Sequence, residues 1–273
     1  GELEFAKTGP VFWIDSADIG PTVGTAGVMT WKMKATGYSG HSGVPQNAIN
    51  SLTLGFEALK YIQQRFYNDF PFTADAASWL YKNGSSLKPT RVSQPEGGVT
   101  NIPHESTFRG DVRFLPFFPT EQIKAAIEGY VKDLNESVIR RHGLSSSGGF
   151  DRFMIPNPKK TEADDKPMIQ GLIEWSWDAS TFVGVACDMD SVGYRALCDS
   201  IHEVTGKFSP FALTGSLPII ADLKAQGYDV QITGFGRFDA YHAANEYAKI
   251  SEFDAGAKII ATLINHLNTH MNA

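Results

Sequence analysis

Residues 26–43 have the sequence AGVMTWKMKATGYSGHSG, in which a strand pattern ends in a glycine-rich loop. Within it, methionine and tryptophan alternate with threonine and lysine, which predicts a strand with one face in a core. A helical pattern follows, and we expect Asn47 to cap it. Its apolar residues recur at steps of three and four: Ile49, Leu52, Phe56, Leu59, Ile62 and Phe66. The stretch therefore predicts a strand, a loop with one histidine, and an amphipathic helix.

The next part of the chain repeats this order of elements. Two strands are predicted between Arg91 and Phe117, and Thr120 is expected to cap a helix with apolar residues spaced from Ile123 to Val138. A further strand is predicted at residues 172–177. The order strand–helix–strand–strand–helix–strand favours a ferredoxin-like βαββαβ sandwich with both helices on one face. We predict that residues 26–180 form this domain.

The flanking segments have a different pattern. Short apolar strands are predicted at residues 11–14 and 230–232. Helices follow the capping residues Ser191 and Ser251, and Gly206 is expected to end the first of these helices. Alternation of helices and strands is typical of an α/β fold. We therefore predict that residues 1–25 and 181–273 form one discontinuous α/β domain, into which the βαββαβ domain is inserted.

Composition excludes several classes of function. The chain has 273 residues and a formal net charge of −6, without the clustered lysine and arginine that nucleic-acid binding requires. No run of about 18 apolar residues predicts a membrane span. Its two cysteines, Cys187 and Cys198, make a disulfide framework implausible and favour a reducing, cytoplasmic location.

Four residues are candidates for chemistry, each with a structural alternative. His41 is either a ligand-contacting residue in its glycine loop or a turn residue. Asp15 and His242 each follow a predicted strand, where ligands collect in α/β domains but where turn residues are also common. Arg113 is either a solvent-facing strand residue or a clamp for a carboxylate. The sequence has no G-x-S-x-G, H-E-x-x-H, C-x-x-C or Walker motif.

Four short motifs together resemble one family. They are GHSG at 40–43, GVTNIP at 98–103, DVR at 111–113 and YHAANE at 241–246. In this order they resemble the two-metal amidohydrolases that include acetylornithine deacetylase, succinyl-diaminopimelate desuccinylase, aminoacylase and glutamate carboxypeptidase. The resemblance extends from about Gly9 to Leu267. FWIDSAD at 12–18 and LTGSLP at 213–218 look most like the eukaryotic acetylornithine deacetylase branch.

The resemblance implies a role for each candidate. Asp15 would bind one zinc ion, with Asp18 as second choice, and His242 would bind the other. His41 would reach the active site of the partner subunit and stabilise the tetrahedral oxyanion. The implied substrate-binding residues are Asn101, Arg113, Thr214 and Gly215.

The implied activity is hydrolysis of the amide bond of an N-acyl amino acid with two Zn²⁺, or Co²⁺, per site. The substrate that the resemblance favours is N2-acetylornithine, an intermediate of arginine biosynthesis. The resemblance also implies a homodimer formed through residues 26–180. The alternatives are an inactive binding or dimerisation module, and a related hydrolase for another acyl amino acid or a dipeptide.

Two family motifs have no counterpart in this sequence. The family has a His-x-Asp motif that binds and bridges the metals, and a Glu-Glu pair that holds the general base; this chain contains neither. Both would precede Asp15. We therefore expect the chain to correspond to the C-terminal part of such a protein, to be inactive alone, and to have the N-terminal segment as a separate chain.

Overall fold

A computed structural model describes residues 4–139, 153–158, 168–241 and 243–271. The described strands, β1 to β12 in chain order, are Val11–Ala17, Thr22–Gly24, Gly27–Thr36, Gly40–His41, Ser86–Ser93, Asn101–Ile102, Glu105–Phe114, Met154–Pro156, Met168–Gln170, Leu172–Phe182, Phe211–Ala212 and Val230–Gly236. The described α-helices, α1 to α6, are Ser51–Asp69, Ala74–Ser78, Thr120–Asp133, Val192–Thr205, Ile220–Ala225 and Ile250–Met271.

The first four-stranded sheet has the order β10-β3-β7-β5, and all neighbouring strands are antiparallel. Along β3 the predicted alternation is confirmed, because Met29, Trp31 and Met33 are buried while Thr30 and Lys32 are exposed. The interior side chains pack against α1 and α3 in one core. The sheet and its two helices form the expected βαββαβ unit within an α/β chain, so the predicted fold class is confirmed. The domain boundaries at 25/26 and 180/181 stay predictions.

Helix α1 differs from its prediction at two residues. Its cap is Asn50, whose side-chain oxygen accepts hydrogen bonds from the amides of Leu52 and Thr53, whereas Asn47 lies in a preceding 3₁₀ turn. Phe56 is 53% exposed and does not lie in the core. Gly55 lies on the buried face instead, where an added Cβ would lie 2.0 Å from the Phe108 ring, while the Phe56 ring meets Phe108 edge-on with centroids 5.2 Å apart.

Helix α3 has the predicted core residues, but Thr120 is its first helical residue and not its cap. It begins at Thr120, with Pro119 at the cap position, and continues into a π-helical turn at Leu134–Val138. Its core residues at the predicted spacing are buried: Ile123, Ile127, Tyr130 and Leu134. The side chain of Val138 lies outside the description.

The second four-stranded sheet has the order β1-β12-β2-β11. β1 runs parallel to β12, β12 antiparallel to β2, and β2 parallel to β11. Helix α4 begins after Ser191, whose hydroxyl accepts from the amide of Tyr194 at 3.0 Å, and ends at Gly206 with φ +67°, as predicted. α4 packs against the long helix α6. Helix α6 begins at Ile250, one residue before the predicted cap at Ser251.

Two further features bear on the composition arguments. Within the described ranges, no helix is both long enough and apolar enough to cross a membrane. Both cysteines are free thiols. Burial raises the pKa of Cys187 to about 12 and that of Cys198 to about 11. These thiols are therefore protonated at neutral pH, and the cytoplasmic location stays a prediction.

Candidate active site

The ends of β1 and β12 form one edge of the second sheet. The two strands run parallel, and Ser16 pairs with Gly234. A Cβ at Gly234 would lie 1.3 Å from the carbonyl oxygen of Ser16, so only glycine allows this approach. Asp15 precedes this close pair and is exposed. The strand end therefore presents a carboxylate at the carboxyl edge, where α/β sheets bind ligands.

A cleft of about 300 Å³ opens beside Asp15. Its other walls come from the end of β12 and the loop that leads to α6, with Arg237, Tyr241, Glu246 and Tyr247 among the lining residues. Asp15 and Glu246 therefore present two carboxylates to the same space. His242 belongs to the same loop but lies outside the described residues, so its predicted role as a metal ligand stays a prediction.

Asp18, the second choice for a metal ligand, makes two backbone contacts, and its role as a ligand stays a prediction. Its backbone adopts φ +67°, an unfavourable region for a residue with a Cβ. Its amide donates to the carbonyl of Gly236 and its Oδ1 accepts from the amide of Phe238, both at 3.1 Å. Within the described part of the chain, no hydrogen bond or ion pair engages the carboxylate of Asp15. Asp15 is thus the carboxylate with both oxygens available.

The positive charge of the cleft is neutralised locally. Arg237 forms an ion pair with Asp239, and hydrogen bonding to the guanidinium lowers the pKa of Asp239 below its ordinary value. The same hydrogen bond raises the pKa of Arg237. Both groups are therefore charged across the physiological range, and the pair adds little net charge to the cleft.

The described donors do not by themselves complete a metal site. Among residues 4–139, 153–158, 168–241 and 243–271, no group of three or more His, Cys, Asp or Glu side chains is placed to hold an ion. A catalytic zinc ion needs about three protein ligands. The carboxylates of Asp15 and Glu246 are suitable donors for zinc, but they supply two at most, so the predicted two-zinc centre is not assembled by these residues alone.

His41 lies on the short strand β4, which forms a separate two-stranded sheet with β6. Its Nδ1 accepts a hydrogen bond from the amide of Gly43 at 2.9 Å. In the neutral ring the proton must then be on Nε2, which becomes the donor. The ring is exposed, and Gly43 allows the tight turn because a Cβ there would lie 3.1 Å from Nδ1. The loop therefore presents an Nε2–H donor to the outside of the molecule.

Asn101 lies directly opposite His41. Strands β4 and β6 pair antiparallel with His41 facing Asn101 in register, and the amide of Ser42 donates to the carbonyl of Thr100 at 2.9 Å. A cavity of about 690 Å³ borders this ribbon, and Asn101 and Ser42 line it. The structure thus brings together two predicted site residues that are 60 positions apart in sequence.

Arg113 lies on β7, on the sheet face opposite the helices. Its Nε donates to Oδ2 of Asp111 at 2.8 Å, two residues earlier on the same face. The side chain is about one-third exposed. Because Asp111 occupies Nε, the two terminal amino groups of the guanidinium are the ones that can contact an external carboxylate.

Thr214 and Gly215 lie near the junction between the two sheets. Thr214 lines a cavity of about 310 Å³ together with Asp18, Lys82 and Phe238. The carbonyl of Gly215 accepts from the amide of Ala26 at 2.8 Å, at the start of the predicted inserted domain. Thr214 therefore borders a cavity, whereas the backbone of Gly215 contacts the segment at Ala26.

The predicted site residues lie in separate groups within one chain. Asp18 and Thr214 line one cavity and Asp15 lines another cleft, whereas His41 faces Asn101 on a separate ribbon and Arg113 lies on β7. Arg237 and Glu246 were not predicted as site residues. Their signal was available in the sequence, since Arg237 is a charge directly after a buried strand and Glu246 ends the YHAANE motif.

Comparison with known proteins finds a family model for part of the chain and relatives that align with nearly all of it. Residues 23–138 match the family model described as a peptidase dimerisation domain, M20_dimer. The chain is 39% identical over 267 residues to an acetylornithine deacetylase of Dictyostelium discoideum, and 37% identical over 265 residues to that of Arabidopsis thaliana. These alignments cover 98% and 97% of this chain, but the chain spans only 58% and 57% of those relatives.

A solved structure has the same fold. An M20 family metallo-carboxypeptidase from Sulfolobus solfataricus superposes with a TM-score of 0.61 at 14% identity, over 93% of this chain and 61% of that protein. At this identity the likeness concerns the fold alone.

Proposed function

We propose that the chain belongs to the M20 peptidase family and that the full-length protein is a metal-dependent amidohydrolase of N-acyl amino acids. The preferred substrate is N2-acetylornithine, cleaved to ornithine and acetate. The observation that carries this proposal is that nearly the whole of this chain aligns with part of two acetylornithine deacetylases. The cleft beside Asp15 supports it, because its carboxylates lie at the ligand-binding edge of the sheet.

Asp15 and His242 would each hold one zinc ion of a two-metal centre. Bound zinc supplies Lewis-acid polarisation of the scissile carbonyl. The remaining ligands and the general base have no counterpart in this sequence, which lacks both a His-x-Asp motif and a Glu-Glu pair. The activity is therefore proposed for the full-length protein.

His41 would donate from Nε2 to the oxyanion that develops on the substrate carbonyl. The hydrogen bond from Gly43 to Nδ1 supports this role, because it fixes the tautomer with a proton on Nε2. A donor held in advance costs no reorganisation at the moment of reaction. We propose that this His41 serves the active site of a partner subunit in a homodimer formed through the predicted domain at 26–180. The match of residues 23–138 to a dimerisation domain supports that arrangement.

The substrate's polar groups would be held by Asn101 beside His41 and by the terminal amino groups of Arg113, which suit a carboxylate. Thr214 and Gly215 would line the pocket for the acyl or amino-acid part.

The test is hydrolysis by the full-length protein loaded with Zn²⁺ or Co²⁺. We expect ornithine release from N2-acetylornithine, loss of that release after chelation, and recovery when the metal returns. Succinyl-diaminopimelate and a dipeptide serve as competing substrates. Faster turnover of either would replace the substrate but keep the reaction class. No hydrolysis of any of them, with metal bound, would favour the inactive binding module.

A further inference from the structure

The loop between β12 and α6 is an irregular segment that supplies several residues to the wall of the Asp15 cleft. It comprises residues 237–249, includes His242, and supplies Tyr241, Glu246 and Tyr247 to the wall of the Asp15 cleft. Tyr241 and Tyr247 are 45% and 54% exposed, so burial of their rings does little to hold the loop. A loop that places ligands needs other fixed contacts.

Arg237 supplies those contacts at the first position of the loop. Its Nε donates to Oδ1 of Asp239 at 2.9 Å and its Nη2 to Oδ2 at 2.5 Å, a two-pronged ion pair. Its Nη1 lies 3.7 Å from Oε1 of Glu252, and the guanidinium carbon lies 5.5 Å from the centre of the Tyr247 ring. One side chain therefore contacts the beginning of the loop, its end, and helix α6.

Glu252 connects the Arg237 side chain to the start of helix α6. Its other carboxylate oxygen, Oε2, accepts from the amide of Lys249 at 2.9 Å, at the point where α6 begins. Glu252 thus caps the helix with one oxygen and meets Arg237 with the other. The start of α6 and the start of the loop are joined through a single carboxylate.

The backbone on which Arg237 sits is itself fixed. Asp18 binds the residue on either side, because its amide donates to Gly236 and its carboxylate accepts from Phe238. Arg237 therefore projects from a short segment that is held at both ends against β1. Restraints on the loop are transmitted to the strand that carries Asp15.

We propose that Arg237 is a positioning residue that holds the loop 237–249 against the Asp15 cleft. Three of its guanidinium nitrogens already face carboxylates of the same chain, so the side chain is committed to the loop and is unsuited to clamp an anionic ligand. The fork of arginine fits this arrangement, and lysine cannot reproduce a two-pronged pair together with a second carboxylate. That the loop binds metal rests on the proposed function. That Arg237 restrains the loop does not depend on it.

The first experiment measures restraint alone. Backbone hydrogen exchange of residues 238–249 is compared in the full-length protein and in Arg237→Lys, Arg237→Gln and Asp239→Asn. We expect exchange in the loop to accelerate about tenfold or more in all three, with the rest of the chain unchanged. Lys258→Gln is the matched control, because it removes an exposed ion pair with Asp254 on α6 that touches no loop residue. Unchanged exchange in Arg237→Lys and Arg237→Gln would overturn the proposal.

The second experiment measures metal binding with Zn²⁺ alone, by competition with a chelator. Residues that orient metal ligands typically contribute about 10- to 100-fold to affinity, and we expect a loss of that size in Arg237→Gln but not in Lys258→Gln. Zinc affinity unchanged in Arg237→Gln, with the loop loosened, would overturn the role in placing the ligands. If the unmodified protein binds no zinc, the proposed function fails while the restraint measured by exchange stands.

Discussion

The hydroxyl of Tyr81 donates a hydrogen bond to the carbonyl of Thr25 at 2.8 Å and lies 3.3 Å from the carbonyl of Val185. Thr25 and Val185 belong to the two chain segments that pass between the sheets, and they also pair with each other through the amide of Thr25. Tyr81 is 3% exposed, and burial raises its pKa far above the ordinary value. A neutral, buried hydroxyl thus holds together the two segments that connect the sheets, at Thr25 and Val185.

We expect Tyr81→Phe to lower the free energy of unfolding by about 1–2 kcal/mol, because the carbonyl of Thr25 loses its buried donor. The measurement is urea unfolding followed by fluorescence. Tyr67→Phe is the control, since Tyr67 also donates to a carbonyl, that of Leu87, but is 36% exposed and water can replace it. Equal losses in the two variants would contradict the special role of Tyr81.

The proposal that His41 serves the partner subunit predicts complementation. His41→Ala and Asp15→Asn should each abolish hydrolysis, while a mixed dimer of the two variants has one site with both residues intact. Random reassociation should therefore restore about a quarter of the unmodified activity. Reassociation without recovery, in dimers proven to be mixed by mass, would mean that His41 acts within its own subunit or not at all.

Arg113 is expected to act mainly on substrate binding. Arg113→Lys should raise KM about tenfold or more with a smaller effect on kcat, because lysine cannot offer a two-pronged contact to a carboxylate. Arg109→Lys is the matched control: it lies on the same strand and face, paired to Asp178 at 3.4 Å, and is more exposed. A KM unchanged in Arg113→Lys would remove this residue from the substrate contacts.

Asp15 and Asp18 should separate metal binding from folding. Asp15→Asn should reduce bound zinc with little effect on stability, since within the described residues no hydrogen bond or ion pair engages its carboxylate. Asp18→Ala should lower stability by about 1 kcal/mol through loss of the hydrogen bond from Phe238, with a smaller loss of bound zinc than in Asp15→Asn. Metal content by atomic emission and thermal unfolding distinguish the two; the reverse pattern would make Asp18 the ligand.

The thiols predict a simple pH dependence. Burial raises the pKa of Cys187 to about 12 and that of Cys198 to about 11, and only the thiolate reacts with alkylating agents. At pH 8 both thiols of the folded protein should therefore react with iodoacetamide far more slowly than a free cysteine, and both should react at ordinary rates in urea. Rapid labelling of Cys187 in the folded protein would show that its surroundings open.

Local patterns were sufficient where a residue's surroundings are set by its neighbours in sequence. The alternation along β3 and the ends of α4 at Ser191 and Gly206 were predicted because side-chain alternation and capping act over a few residues. Asn47 failed as a cap because Ala48 to Asn50 remain extended before the helix begins. Phe56 was wrongly placed in the core because the buried face of the helix includes Gly55 and not Phe56, and the packing of that face against Phe108 involves two elements.

For this chain, the sequence by itself determined the order of elements, the fold class and the family resemblance, because periodicity and short motifs are written along the chain. Only the tertiary structure decided that His41 faces Asn101, that Asp18 holds the end of β12 while Asp15 stays available, and that Arg237 joins the two ends of its loop. Each of these depends on hydrogen-bond geometry between residues distant in sequence. Such geometry is fixed only when the sheets close and their strand ends come together.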